Sequence, residues 1–177
     1  GYSFPKSSEI KTISMDINDI LRRIRYTFDF DDKKMIELFA IADHQVTRAE
    51  VSNWLKKDDD PAFQKCYDTL LAIFLNGFIT DKRGKQEGAQ PIPEKRLTNN
   101  IILRKLKIAL NLKDADILNI LELVEFRISS HELSAFFRKP NHKHYRPCKD
   151  QVLRNFLNGL QVKHRPDIQV TTGFKWK

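Results

Sequence analysis

The chain carries one pattern twice, 82 residues apart and without a gap: residues 18–77 lie over residues 100–159, with 15 identical positions among the 60 compared. Most other positions exchange like for like, as in Ile24/Leu106, Met35/Ile117, Val51/Leu133, Trp54/Phe136 and Phe63/Tyr145. The sharpest stretch, Cys-x-Asp-x-x-Leu-x-x-Phe-Leu-Asn-Gly, is read at Cys66–Gly77 and again at Cys148–Gly159. A period this long is not that of a solenoid, whose units run to roughly 20–50 residues. It describes two copies of one small domain. A unit of about 60 residues buries only around 60% of its unfolded surface and is marginal alone. The two copies are therefore expected to pack around a pseudo-twofold axis and share one core.

Each copy reads as four helices. Ile17, Ile20, Leu21, Ile24 and Phe28 recur at helical steps, and Ile102, Leu103, Leu106 and Leu110 repeat the stripe. Asp31 and Asp32 place acids at the start of the next helix, where the dipole favours them. Thr47-x-x-Glu50 and Ser129-x-x-Glu132 are capping boxes that open the third. The fourth is expected from about Phe63 to Asp81, and from about Pro147 to Lys163. Nothing alternates over the lengths that strands require. The expected fold is all-α: two tandem four-helix units at 15–81 and 98–165, joined by a polar linker at 82–97 that holds Pro91 and Pro93. Residues 1–14 precede Met15, which looks like a native start, and read as an N-terminal extension or a cloning remnant; 166–177 read as a tail.

Charge divides the copies. Residues 15–80 hold 9 Lys/Arg against 12 Asp/Glu, whereas residues 98–165 hold 13 against 6. The second copy is the basic one, which suggests an anionic partner or an acidic partner surface. The alternative is that the two halves attract each other. The longest apolar stretch, near Thr69–Ile79, is too short and interrupted to span a bilayer. Two cysteines do not make a disulfide framework, and a cytoplasmic protein is the default.

Basic pairs recur at matched positions: Arg22/Arg104, Arg23/Lys105, Arg25/Lys107, Lys56/Arg138 and Lys57/Lys139. Those on the first helices are expected opposite the apolar stripe, exposed, and phosphate contact needs exposed charge without a sequence code. The second copy adds Lys143 and Arg146 before its fourth helix. Arg104, Lys105, Lys107, Arg138, Lys139, Lys143 and Arg146 are thus the candidate nucleic-acid contacts. The segment Val46 to Leu55 resembles the recognition half of a helix-turn-helix, although Gln45 and Arg127 stand where the turn glycine is usual. An ordinary capped hairpin accounts for it as well. The same segment resembles the end of a calcium loop, but the first and third ligand positions would fall on Phe39 and Ile41, which excludes it.

His142, His144 and Cys148 have zinc-ligand side chains, yet the first copy has Asp60 and Ala62 at the histidine positions, so neither metal nor cofactor is expected. A nucleophilic Cys148 would need a base and an electropositive pocket. Cys66 and Cys148 read instead as small buried hydrophobes, each followed by an acid, Asp68 or Asp150, at a helix start. A glycine inside a helix costs roughly 1 kcal/mol against alanine. Close approach of the two fourth helices at Gly77 and Gly159 would offset it, with Asn76 and Asn158 hydrogen-bonding across the contact.

Asn18-Asp19-Ile20-Leu21-Arg22, the two Cys-x-Asp-x-x-Leu-x-x-Phe-Leu-Asn-Gly segments, Asn99-Asn100 with Leu103-Arg104-Lys105-Leu106, and His142-Lys143 before Tyr145 together resemble the YehS-like family of uncharacterised bacterial proteins. That family carries a duplicated domain of unknown function, DUF1456. The resemblance covers about 15–165 and implies a bacterial cytoplasmic protein; it brings no activity, ligand or catalytic residue. The resulting expectation is a non-enzymatic binding module, with nucleic acid or another polyanion as partner and the second copy as surface. The alternative is a protein–protein adaptor or dimerisation module. An enzyme is the reading with least support, since no catalytic constellation recurs in both copies.

Overall fold

Helix boundaries in this chain are written by local hydrogen bonds that occur in matched pairs. The computed structural model describes residues 15–166 and contains eight helices among them, with no strand. The first copy forms α1 (Ile17–Thr27), α2 (Asp32–Ile41), α3 (Arg48–Leu55) and α4 (Asp68–Arg83). The second forms α5 (Asn99–Ala109), α6 (Asp114–Glu122), α7 (Ser130–Phe136) and α8 (Asp150–His164). The expected extension at 1–14 and the tail beyond Pro166 lie outside the described residues. Among the described residues no helix is long and apolar enough to cross a membrane.

Side chains of Asp16, Asp31 and Thr98 cap α1, α2 and α5 by accepting from backbone N–H groups three residues on. Both expected capping boxes form. Thr47 and Glu50 exchange bonds of 2.8 and 3.1 Å at the start of α3, and Ser129 and Glu132 exchange two of 3.0 Å at α7. The first and second helices of each copy stop at a left-handed residue: Asp29 and Asp43, matched by Asn111 and Glu125, with φ between 55° and 62°. Phe30 N–H then reaches back to Arg25 O, and His44 N–H to Phe39 O, the pairing of a Schellman stop. The hairpin lacks a glycine at Gln45 and Arg127 because its left-handed residue sits two positions earlier.

The fourth helices begin later than expected, at Asp68 and Asp150 rather than near Phe63 and Pro147. The cause is a buried asparagine in each first helix. Asn18 donates to Trp54 O (2.9 Å) and Gln64 O (3.0 Å) and accepts from Cys66 N–H (2.9 Å). Asn100 repeats the set on Phe136 O (3.0 Å), Arg146 O (2.9 Å) and Cys148 N–H (2.9 Å). These bonds hold the approach to each fourth helix outside helical geometry. Asp68 then accepts from Leu97 N–H (2.7 Å), which ties the end of the linker to α4, and Asp150 accepts from Asn99 (2.7 Å).

The glycines pack differently from expectation. Gly77 presses α4 onto the backbone of Leu38 in α2, and Gly159 presses α8 onto Ile120 in α6, so each fourth helix is seated on the second helix of its own copy. Between copies, the first helix of one lies on the fourth helix of the other: α5 on α4 and α1 on α8. Phe39, Phe74, Phe78 and Phe156 are among the largest fully buried side chains, and one apolar cluster runs from Ile20 through both copies to Leu160. This is the shared core of two pseudo-twofold-related four-helix units.

Candidate polyanion site

The crossed packing decides which cations face water. Lys105 is only 8% exposed, since it lies three residues after Ile102 and four before Ala109 on the buried side of α5. Its ammonium donates to Asn76 Oδ1 (2.6 Å) and pairs with Glu94 of the linker (3.1 Å). Lys105 is therefore withdrawn as a nucleic-acid contact. Its counterpart Arg23 donates to Asn158 Oδ1 (2.8 Å). Burial, then the nearby charges of Arg154 and Arg22, push the Arg23 guanidinium down to about 10. Asn76 and Asn158 thus do hydrogen-bond between copies, but to the opposite first helix and not to the other fourth helix. A pair of asparagine carbonyls draws one buried and one partly buried cation into the seam.

Arg104, Arg138, Lys139, Lys143 and Arg146 are exposed, and Lys107 is half-buried. Among the described residues no carboxylate lies within ion-pairing distance of Arg104, Arg138, Lys139, Lys143 or Arg146. Arg104 spans from α5 to the end of α7, donating to Phe137 O (2.6 Å). Lys107 pairs with Asp114 (2.9 Å) and lies 4.1 Å from the centroid of the Phe137 ring. Around them opens a cleft of about 350 Å³. Its cations are Arg83, Arg104 and Lys107, and its apolar wall is Ile108, Leu112 and Phe137. Arg83, the last residue of α4, reaches this cleft because α4 lies on α5. Arg83 and Arg165 stand 82 residues apart, a match just beyond the compared window that was the available signal.

The equivalent place on α1 of the first copy is filled by an arginine of the second. Arg165 lies 4.5 Å from the centroid of the Tyr26 ring, donates to Tyr26 O (2.6 Å) and faces Asp29 (3.6 Å). Tyr26 and Asp29 correspond to Ile108 and Asn111. Arg83, which crosses onto α5 as Arg165 crosses onto α1, therefore lacks the ring and the carboxylate that satisfy Arg165. Nearby, partial burial against Phe28, with its ring centroid 4.8 Å away, holds the His164 pKa below its ordinary value, and Lys163 and Lys82 push it the same way.

Cys66 and Cys148 are buried free thiols, pushed up to about 12 by burial and then by Asp68 and Asp150. That is the opposite of an activated nucleophile. His142 and His144 are exposed with ring centroids 5.5 Å apart, and His142 Nδ1 accepts from the His144 N–H. Among the described residues no three His, Cys, Asp or Glu side chains come together as a metal cluster.

The two helical repeats coincide with two matches, over residues 18–84 and 99–165, to the family described as protein of unknown function (DUF1456). The chain is also similar to the uncharacterized protein YehS of Escherichia coli (strain K12), 45% identical over 147 residues that cover 82% of this chain and 94% of that protein. No solved structure matches significantly.

Proposed function

We propose that this chain, which belongs to the DUF1456 family, is a non-enzymatic module that binds nucleic acid or another polyanion through its second repeat. One observation carries the reading: the cleft where Arg83 meets Arg104 and Lys107 lies against α5 of the repeat that also carries exposed Arg138, Lys139, Lys143 and Arg146. Cations without protein carboxylates hold mobile counterions, and a polyphosphate releases them on binding. Each phosphate contact adds about −0.9 to the log–log salt slope on duplex DNA, or about −0.7 on a single strand. The reading places the protein in the bacterial cytoplasm, in keeping with two thiols left unpaired.

The test is fluorescence anisotropy of labelled DNA and RNA over a salt series. Replacing Arg138, Lys139, Lys143 and Arg146 together with Ser should weaken binding and flatten the slope. Absence of binding to any nucleic acid or polyanion at low salt would refute the proposal. The opposite net charges of the two repeats favour a second reading, a self-associating or adaptor module. Salt-sensitive oligomers in light scattering would support it.

A further inference from the structure

The internal duplication supplies a control for the cleft. At α1 of the first copy, Arg165 from the end of α8 has a ring beneath it and a carboxylate beside it, both from α1. In the second copy, Ile108 and Asn111 offer neither, and a cleft of about 350 Å³ stands there instead. That size falls in the range of small-ligand pockets, roughly 300–1,000 Å³. Arg83 has no hydrogen-bond or ion-pair partner among the described residues, whereas Arg104 and Lys107 are each held by Phe137 or Asp114.

We infer that the cleft accepts one unpaired nucleotide of a single strand. Its base takes the place that Tyr26 holds under Arg165, and its phosphate takes the place of the Asp29 carboxylate. This rests on the polyanion reading and narrows it. Arginine stacks on a base as it does on a tyrosine ring. Lys107 is already paired with Asp114, but Arg83 and Arg104 have no carboxylate partner among the described residues, and Phe137, in the cleft wall, leads directly into Arg138 and Lys139, so a strand leaving the cleft meets further cations. A duplex presents no free base face, and extruding a base from its stack costs a few kcal/mol. Single strands are therefore preferred.

The decisive variant transplants the first copy's lock: Ile108→Tyr with Asn111→Asp in the full chain. It leaves every cation of the protein in place and should keep or raise the melting temperature, since Arg83 gains both partners. Anisotropy of a labelled oligothymidine should then report a roughly tenfold weaker affinity, the order expected for one stacked base. Affinity for a duplex of the same length should change far less. Arg83→Ser, at an exposed position, should reproduce the loss and serves if the transplant fails to fold. Unchanged single-strand affinity in either folded variant, or equal losses on single strand and duplex, overturns the inference and leaves the broader proposal standing. Absence of all nucleic-acid binding by the unaltered chain refutes the broader proposal. Calorimetry with a nucleoside monophosphate alone would then still uphold the cleft, if binding appears and the transplant removes it. Binding of a Tyr-x-x-Asp peptide where the nucleotide does not bind would overturn the assignment in favour of a protein partner.

Discussion

Replacing Gly77 or Gly159 with alanine measures how tightly each fourth helix is seated. A Cβ at Gly77 would stand 1.8 Å from Leu38 O and 2.8 Å from its carbonyl carbon; at Gly159 it would stand 2.3 Å from Ile120 O and 2.7 Å from Ile120 Cγ2. Carbon atoms settle near 3.5–4.0 Å from their neighbours, so α4 must retreat from α2 by more than about 1 Å. The obstructing atoms at Leu38 belong to the backbone of a helix and cannot rotate away. At Ile120 one of them is a side-chain methyl, which can, but the nearer backbone oxygen at 2.3 Å cannot, so α8 must also retreat, by less than α4. Alanine itself favours the helix by about 1 kcal/mol, and overpacking typically costs about 1–3 kcal/mol. The backbone clash places Gly77→Ala at the upper end, a net loss of about 2 kcal/mol, and Gly159→Ala near 1 kcal/mol. For a chain of this size 1 kcal/mol moves the melting temperature by about 2–4 °C. Far-ultraviolet circular dichroism should therefore show a drop of about 4–8 °C for Gly77→Ala and about half that for Gly159→Ala. An unchanged or higher melting temperature for Gly77→Ala would mean that only helix propensity is felt, and would refute the seating of α4 on α2.

Asn100→Ala should lose about 2–4 kcal/mol in urea unfolding, because each orphaned buried group costs about 1–3 kcal/mol. Asn100→Asp should be no milder, since an ionised carboxylate cannot donate to Phe136 O or Arg146 O. Both thiols should resist alkylation at mildly alkaline pH in the folded protein and react at once in denaturant; rapid labelling of the native chain would contradict their burial. The His164 pKa lies lower in the folded chain than in the unfolded one, so its neutral form is favoured by folding. Stability is full above about pH 6.5, the ordinary histidine value, and declines as pH falls through the folded pKa. His164→Leu should remove part of that decline in melting temperature; an identical pH profile would show that the shift is absent.

Much of the fold was legible because it is written locally. The stripes of the first helices and both capping boxes are short-range signals. Which element covers a given stripe is a long-range matter. Periodicity showed that Gly77 needs a close neighbour but not that Leu38 supplies it. Lys105 departs from the expected exposure because position outweighs charge: Ile102 and Ala109 bracket it at helical spacing on the covered face. The fourth-helix starts were missed because a capable helix former cannot coil while its amide and carbonyls are held by an asparagine about 48 residues away. The cleft forms between repeats, Arg83 from one and Ile108 from the other, so its trace in the sequence is the 82-residue spacing of Arg83 and Arg165 rather than a local motif.

The crossing of α1 onto α8 and of α5 onto α4 also bears on how the two sides can differ. Severed at the linker, the same architecture would be a bimolecular complex, with its stability set by concentration. Joined through 82–97, the partners meet at an effective concentration fixed by the tether. In a symmetric pair of identical chains every substitution appears on both sides at once. A tandem chain escapes that constraint, so Asp29 can close one side while Asn111 leaves the other open. A single molecule can thus hold one side closed by its own residues and one side open, an asymmetry that a homodimer of either repeat could not encode.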